Sequence, residues 1–192
     1  PIRLKIRCRC IRGHTGHRVK PVDSAYALYG LLYIGSGFLA LLALRSGSAV
    51  SFMSDHFSTA MVEPARFFVF LLIFSTWASD TAAFAVGKMM GKVKLCPSIS
   101  PGKTREGAIG GFVGTLIVAV VFSLIFQFSI LHALALGIII GIMAPLGDLA
   151  ESILKRVSGV KDSGNIIPGH GGVLDRFDSL LFAAPAMYVY LM

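Results

Sequence analysis

The chain is short of charge. Asp, Glu, Lys and Arg make up 15% of its 192 residues, against about 25% in a soluble domain. None of the four occurs between Gly107 and Gly147, a run of 41 residues. Three cysteines exclude a disulfide scaffold, and 21 glycines without a triplet period exclude collagen. A hydrophobic content of 55% and a mean hydropathy of +0.74 exclude disorder. The missing charge also excludes an ordinary cytosolic fold. At about 1.5 Å per helical residue the uncharged run would be about 60 Å long, twice a hydrocarbon core of about 30 Å. It predicts two membrane helices joined by a tight turn.

The other spans follow from the same count. Ser24–Leu44 is free of charge, and Phe67–Gly87 is interrupted only by Asp80. Gly107 to about Phe126 and about Leu131 to Gly147 form the pair, with Gln127, Ser129 and His132 near its turn. Ser179–Met192 adds a short fifth apolar stretch, which Pro185 is expected to kink. The expected fold class is all-α, a polytopic membrane bundle of about five transmembrane helices with a polar active site facing the cytoplasm. Two regions are expected, a basic segment over 1–23 and a membrane-embedded catalytic domain over 24–192.

Topology can be tested on the basic residues. With these spans, 1–23, 88–106 and 148–178 lie on one side and carry 7, 5 and 4 Lys plus Arg, 16 of the chain's 18. Only Arg45 and Arg66 remain for the other side. By the positive-inside rule the basic loops are cytoplasmic. The net charge of +8 is then aimed at lipid headgroups or phosphate ligands rather than nucleic acid.

The beginning is anomalous. Pro1 is not an initiator, and no secretory apolar core follows it, so a processed, truncated or fragmentary start is expected. Cys8, Cys10, His14 and His17 are zinc-type donors, but their spacing is tight and nothing nearby resembles a finger. An incidental basic tail is the preferred reading. Cys96 stands alone.

Three polar clusters interrupt the apolar chain. Ser79-Asp80-Thr81 puts a carboxylate in a membrane helix, at about 2.5–3.5 kcal/mol on insertion scales, which suits a residue lining a ligand-filled cavity. Ser100-Pro101-Gly102-Lys103-Thr104-Arg105-Glu106 contains a Gly-Lys-Thr triplet, but Pro97 stands where a P-loop needs its first glycine. What survives is a loop of Ser, Thr, Lys and Arg opening onto a helix N-terminus, an expected anion site. In the third cluster, Asp148, Glu151, Ser152 and Lys155 fall at i, i+3, i+4 and i+7 and share one helical face. Asp175 and Asp178 share another, at the start of the last helix. Four carboxylates without a thiolate or a histidine pair suit a hard cation such as Mg²⁺. Lys155, Arg156, Lys161 and Arg176 could hold phosphate oxygens around it, and Gly169, Gly171 and Gly172 let backbone approach a ligand closely.

From Ser152 to Asp178 the sequence resembles the phosphatidate cytidylyltransferase family, the CDP-diacylglycerol synthases. The resemblance runs through Ser152, Lys155, Arg156, Lys161, Asp162, Pro168, His170, Gly171, Gly172, Asp175, Arg176 and Asp178, every fixed position of a 27-residue pattern. Upstream, Asp80-Thr81 with Gly87-Lys88, and Ser100-Pro101-Gly102-Lys103-Thr104-Arg105-Glu106-Gly107, are similar to two further family segments. Arg105 replaces the usual tryptophan, Phe84 stands where tyrosine is common, and the amino-terminal helices usual in bacterial members are absent. The likeness covers about residues 24–192.

The resemblance implies a Mg²⁺-dependent reaction of CTP with phosphatidate, giving CDP-diacylglycerol and pyrophosphate, at the cytoplasmic face of a bacterial inner membrane. Asp148 and Asp175 would be metal ligands for one or two ions. Lys155, Arg156 and Arg176 would clamp phosphate, with Ser152 and His170 lining the site. Asp80, Ser100, Lys103, Thr104, Lys161, Gly171, Gly172 and Asp178 complete the expected substrate contacts. The expected partners are the two substrates and the bilayer, with no nucleic acid and a homodimer left open. Competing readings are a cytidylyltransferase or kinase acting on another lipid phosphate or lipid alcohol, and an ion-coupled transporter. The transporter predicts an internal repeat of broken helices, and none is found.

Overall fold

The computed structural model describes residues 11–12, 18–19, 21–47, 64–97, 99–160, 163, 172 and 174–192. A two-residue antiparallel ladder, β1 (Ile11–Arg12) with β2 (Arg18–Val19), precedes the helices. Five helices follow: α1 (Pro21–Ser46), α2 (Pro64–Met90), α3 (Arg105–Phe126), α4 (Ile130–Val157) and α5 (Leu174–Leu191). Both α1 and α2 begin at a proline, whose fixed φ suits a first helical position and whose missing N–H costs nothing there. Four helices, α1 to α4, are long and apolar enough to cross a membrane. At 18 residues α5 is about 27 Å long, just short of a hydrocarbon core. It starts five residues before the apolar stretch and runs through Pro185.

The tight turn expected between the paired spans is present. It consists of Gln127, Phe128 and Ser129, with Gln127 at φ 50° closing α3. Ser123 Oγ donates to the Phe128 carbonyl at 2.6 Å and fastens the turn to the helix it leaves. Phe67, Phe68, Phe122, Phe126 and Phe128 cluster around it, with ring centroids 5.1–5.9 Å apart in the pairs that Phe67 and Phe128 make. This aromatic end is one pole of the core.

Small residues set the helix spacing elsewhere, as expected where lipid removes the hydrophobic drive between helices and close packing must replace it. Along the α2–α3 seam, a Cβ on Gly107 would lie 2.7 Å from the Ala83 carbonyl oxygen, and one on Gly111 would lie 2.9 Å from that of Ser79. Gly147 brings α4 against the α5 backbone at Asp178, and Gly37 brings α1 against α5 at Leu181. Leu28, Leu31, Leu39, Ile109 and Leu124 point outward, an apolar exterior that suits a bilayer.

One element was not foreseen. The segment between α2 and α3 forms an antiparallel hairpin, β3 (Lys94–Cys96) with β4 (Ser100–Thr104). Proline at 97 and at 101 denies this stretch helical hydrogen bonds, so the chain folds back as a ladder instead. The hairpin reaches the far end of α4, where Arg156 Nε donates to the Ile99 carbonyl at 3.4 Å. The loops 88–106 and 148–178 therefore meet at one end of the bundle, opposite the aromatic turn.

Candidate active site

The site end of α4 carries the polar residues because the helix continues ten residues past Gly147 without a break. Asp148, Glu151, Ser152 and Lys155 thus line one face, as their spacing predicts. Their partners come from the other elements and divide them into two groups.

The first group surrounds a cavity of about 430 Å³ between α2, the hairpin, α3 and α4. Asp80, Phe84 and Lys88 come from α2, Lys103 and Thr104 from β4, and Pro145 and Asp148 from α4. Lys103 Nζ lies 2.6 Å from Asp148 Oδ2, both side chains being partly exposed. Ser152 Oγ donates weakly to Asp148 Oδ1 at 3.5 Å. Asp80 is exposed to the cavity and makes no hydrogen bond or ion pair with another described residue. The wall behind it is the α2–α3 glycine seam, so the close helix contact is what places Asp80 and Lys103 on one cavity.

The expected anion site at the start of α3 is taken by the chain itself. Thr104 Oγ1 accepts the Gly107 N–H at 3.1 Å as the helix cap. Glu106 already supplies a negative charge to the first turn, and its carboxylate accepts the Val93 N–H at 3.3 Å. Thr104 is 6% exposed and acts here as a structural cap.

The second group fills the corner between α4 and α5. Lys155 Nζ lies 2.6 Å from Glu151 Oε2 and donates to Asp175 Oδ1 at 2.7 Å. Asp175 Oδ2 accepts the Ser163 N–H at 3.0 Å, the Ser163 hydroxyl at 2.9 Å and the Gly172 N–H at 2.7 Å. Burial pushes the Asp175 carboxyl up, but the bonds from Lys155, Gly172 and Ser163 outweigh it and hold the group well below the usual carboxylate range. Asp178, one turn on, is buried, and its Oδ1 accepts the Ser179 N–H at 2.6 Å. Its carbonyl accepts the Tyr33 hydroxyl at 2.7 Å, which ties α1 to the start of α5.

Residues 16–192 match the Cytidylyltransferase family. The chain belongs to that family. It is 42% identical over 178 residues to the phosphatidate cytidylyltransferase of Staphylococcus haemolyticus, covering 92% of this chain and 62% of the relative. The same figures hold for the Staphylococcus saprophyticus protein of that name. The Bacillus subtilis protein so named is 42% identical over 157 residues, 81% of this chain and 58% of the relative. The chain therefore spans about three fifths of the length of these relatives.

Among the expected site residues the structure brings together Asp80, Lys103, Thr104 and Asp148 in the cavity, and Lys155, Gly172 and Asp175 in the corner. Ser152 stands between the two groups on α4. Ser100 and Arg156 sit at the hairpin, and Arg156 is exposed. Arg176 is an exposed residue of the first turn of α5. Lys161, His170 and Gly171 lie outside the described residues, as do Cys8, Cys10, His14 and His17.

Asp148 and Asp175 pair with different ammonium groups, Lys103 and Lys155. Among the described residues no group of three or more His, Cys, Asp or Glu is arranged to hold a metal ion. The donor chemistry nevertheless fits a hard cation, because each of the two carboxylates already carries an ammonium at 2.6–2.7 Å. Tyr33 and Glu151 were missed as site residues. Nothing in an apolar helix marks one tyrosine as the one that reaches α5. Glu151 was visible on the right face, as one of four carboxylates, without a role of its own.

Proposed function

We propose that this chain transfers the cytidylyl group of CTP to phosphatidate, giving CDP-diacylglycerol and pyrophosphate. The observation that carries this is the cavity at one end of a membrane bundle, where Asp80, Asp148 and Lys103 meet beside the Lys155–Asp175 corner. The phosphatidate cytidylyltransferases to which the chain is similar point to phosphatidate as the acceptor of a cytidylyl group.

In the reaction a phosphate oxygen of phosphatidate forms a bond to the α-phosphorus of CTP, and the bond from that phosphorus to the β-phosphate bridge oxygen breaks. Two polyanions must approach each other, so catalysis is mainly positioning and charge neutralisation. Lys103 from the hairpin and Lys155 from α4 bring ammonium groups to the two sides of the α4 face. Arg156 and Arg176 border it, and Ser100 and Ser152 offer hydroxyls. Asp148 and Asp175 would hold Mg²⁺, and Lys103 and Lys155 would offer their ammonium groups to phosphate oxygens. When bound, Mg²⁺ supplies charge that offsets the departing pyrophosphate. Lys161, His170 and Gly171, expected substrate contacts, lie outside the described residues, Gly172 donates to Asp175, and Asp178 ties the start of α5 to α1. The 16 to 2 division of basic residues supports a cytoplasmic site in a bacterial inner membrane.

The test is incorporation of radiolabel from CTP into lipid by the purified chain, with phosphatidate set against isoprenoid phosphates. A labelled liponucleotide formed from phosphatidate alone is expected. Label transferred only to an isoprenoid phosphate, or none at all, would refute the assignment.

A further inference from the structure

Glu151 is among the most deeply buried side chains, 1% exposed, yet it is an acid on a helix face next to two other carboxylates. Its Oε2 lies 2.6 Å from the Lys155 ammonium, and its carboxyl also faces that of Asp175. A buried ion pair of this kind adds little stability over apolar side chains of the same size. Packing alone therefore does not account for an acid here.

Its geometry toward Lys155 does. A lysine side chain is a point charge on a four-carbon stem with about 2 kcal/mol of rotamer entropy. Here the ammonium is fixed from two sides, by Glu151 at 2.6 Å and Asp175 at 2.7 Å, which leaves one proton free to point elsewhere. The two anchors differ. Asp175 also accepts from Ser163 and Gly172 and can be claimed by other ligands, whereas Glu151, among the described residues, meets Lys155 and Asp175 within the corner. Glu151 is thus the anchor that stays when Asp175 is engaged by a cation.

We propose that Glu151 is a positioning residue, the buried anchor that holds the Lys155 ammonium in the α4–α5 corner so that its free proton meets a substrate phosphate. Only the identity of that phosphate rests on the function proposed above. The α4 helix supplies both members at i and i+4, so the anchor moves with the lysine it holds.

The experiment uses the full chain in detergent and two readouts. Lysines are acetylated under limiting reagent and each site is followed by mass spectrometry, in the wild type, Glu151→Gln and Glu151→Leu. Losing one charge-assisted contact predicts Lys155 labelling about tenfold faster in both variants, with Lys94 unchanged. In parallel, Glu151→Gln is expected to lower kcat roughly tenfold with KM for CTP within about twofold, and Glu151→Asp, which keeps the charge, to fall between it and wild type. Lys155 reactivity equal in all three proteins would overturn the proposal, as would a rise in KM with kcat unchanged. The labelling arm decides the matter even if the wild-type chain turns over no CTP, an outcome that would count against the function and not against the anchor.

Discussion

The cavity and the corner contain the same kinds of residue in opposite conditions. In the cavity, Asp80, Asp148 and Lys103 border open space, with a single ion pair between them in which the Lys103 nitrogen is itself covered. In the corner, Glu151, Lys155 and Asp175 are closed in, and both oxygens of Asp175 are occupied. Charges with room around them can change partners when a substrate arrives. Charges that are enclosed hold elements together and exchange partners only at a cost. The corner is therefore expected to carry both fold and chemistry, and the cavity chemistry alone.

The largest expected effect is common to both regions. Asp148→Asn and Asp175→Asn keep size but remove the charge that offsets a cation's lost hydration, and each should lower CTP-dependent turnover by about a hundredfold or more. Chelation by EDTA should do the same to the wild type. Activity that survives either treatment would remove the metal from the account.

Lysine substitutions separate the regions. Lys155→Ala should cost on the order of 1.5–3 kcal/mol in the transition state, about tenfold to over a hundredfold in turnover. It also strands two carboxylates with little exposure, so Tm should fall clearly below that of the wild type. Lys155→Arg should rescue only in part, since a planar fork cannot sit between two carboxylates as a point charge does. Lys103→Ala should impair turnover comparably and leave Tm nearly unchanged, because its partner Asp148 can turn to water. Equal Tm losses in the two alanine variants would erase the distinction between open and closed charge.

A smaller effect is expected behind the cavity. Gly107→Ala would press a methyl onto the Ala83 carbonyl at 2.7 Å and should destabilise the bundle by about 1–3 kcal/mol. Turnover should fall too, since α2 and α3 must separate and carry Asp80 away from Lys103. Stability and turnover both unchanged would show that the seam does not set the cavity. Smallest of all, cysteines placed at Lys94 and Ser163 should react from the same membrane face. Labelling from opposite faces would separate the two loops.

Much of this was legible beforehand, for identifiable reasons. The spans and the turn at Gln127–Ser129 follow from where charge is missing, because a bilayer tolerates none. The shared face of Asp148, Ser152 and Lys155 follows from helical spacing, which holds once α4 is known to continue past Gly147. The Lys103–Asp148 pair was not legible, since it joins residues 45 apart through a hairpin that two prolines produce. That Asp148 and Asp175 pair with different lysines was hidden for a related reason. Donors from Ser163 and Gly172 settle around Asp175, and backbone N–H groups carry no residue-specific signal. Thr104 borders the cavity while its hydroxyl oxygen caps α3, a dual placement that its sequence position alone does not show.

The central claim is that cavity and corner, although apart in this structure, act as one unit on one pair of substrates. It is tested most directly by measuring CTP-dependent turnover in Asp148→Asn, Asp175→Asn and the double variant, all folded in detergent. If the two carboxylates serve one step, the double variant should be little worse than either single variant. Losses that multiply in the double variant would mean that the two regions act independently, and would contradict a single shared site.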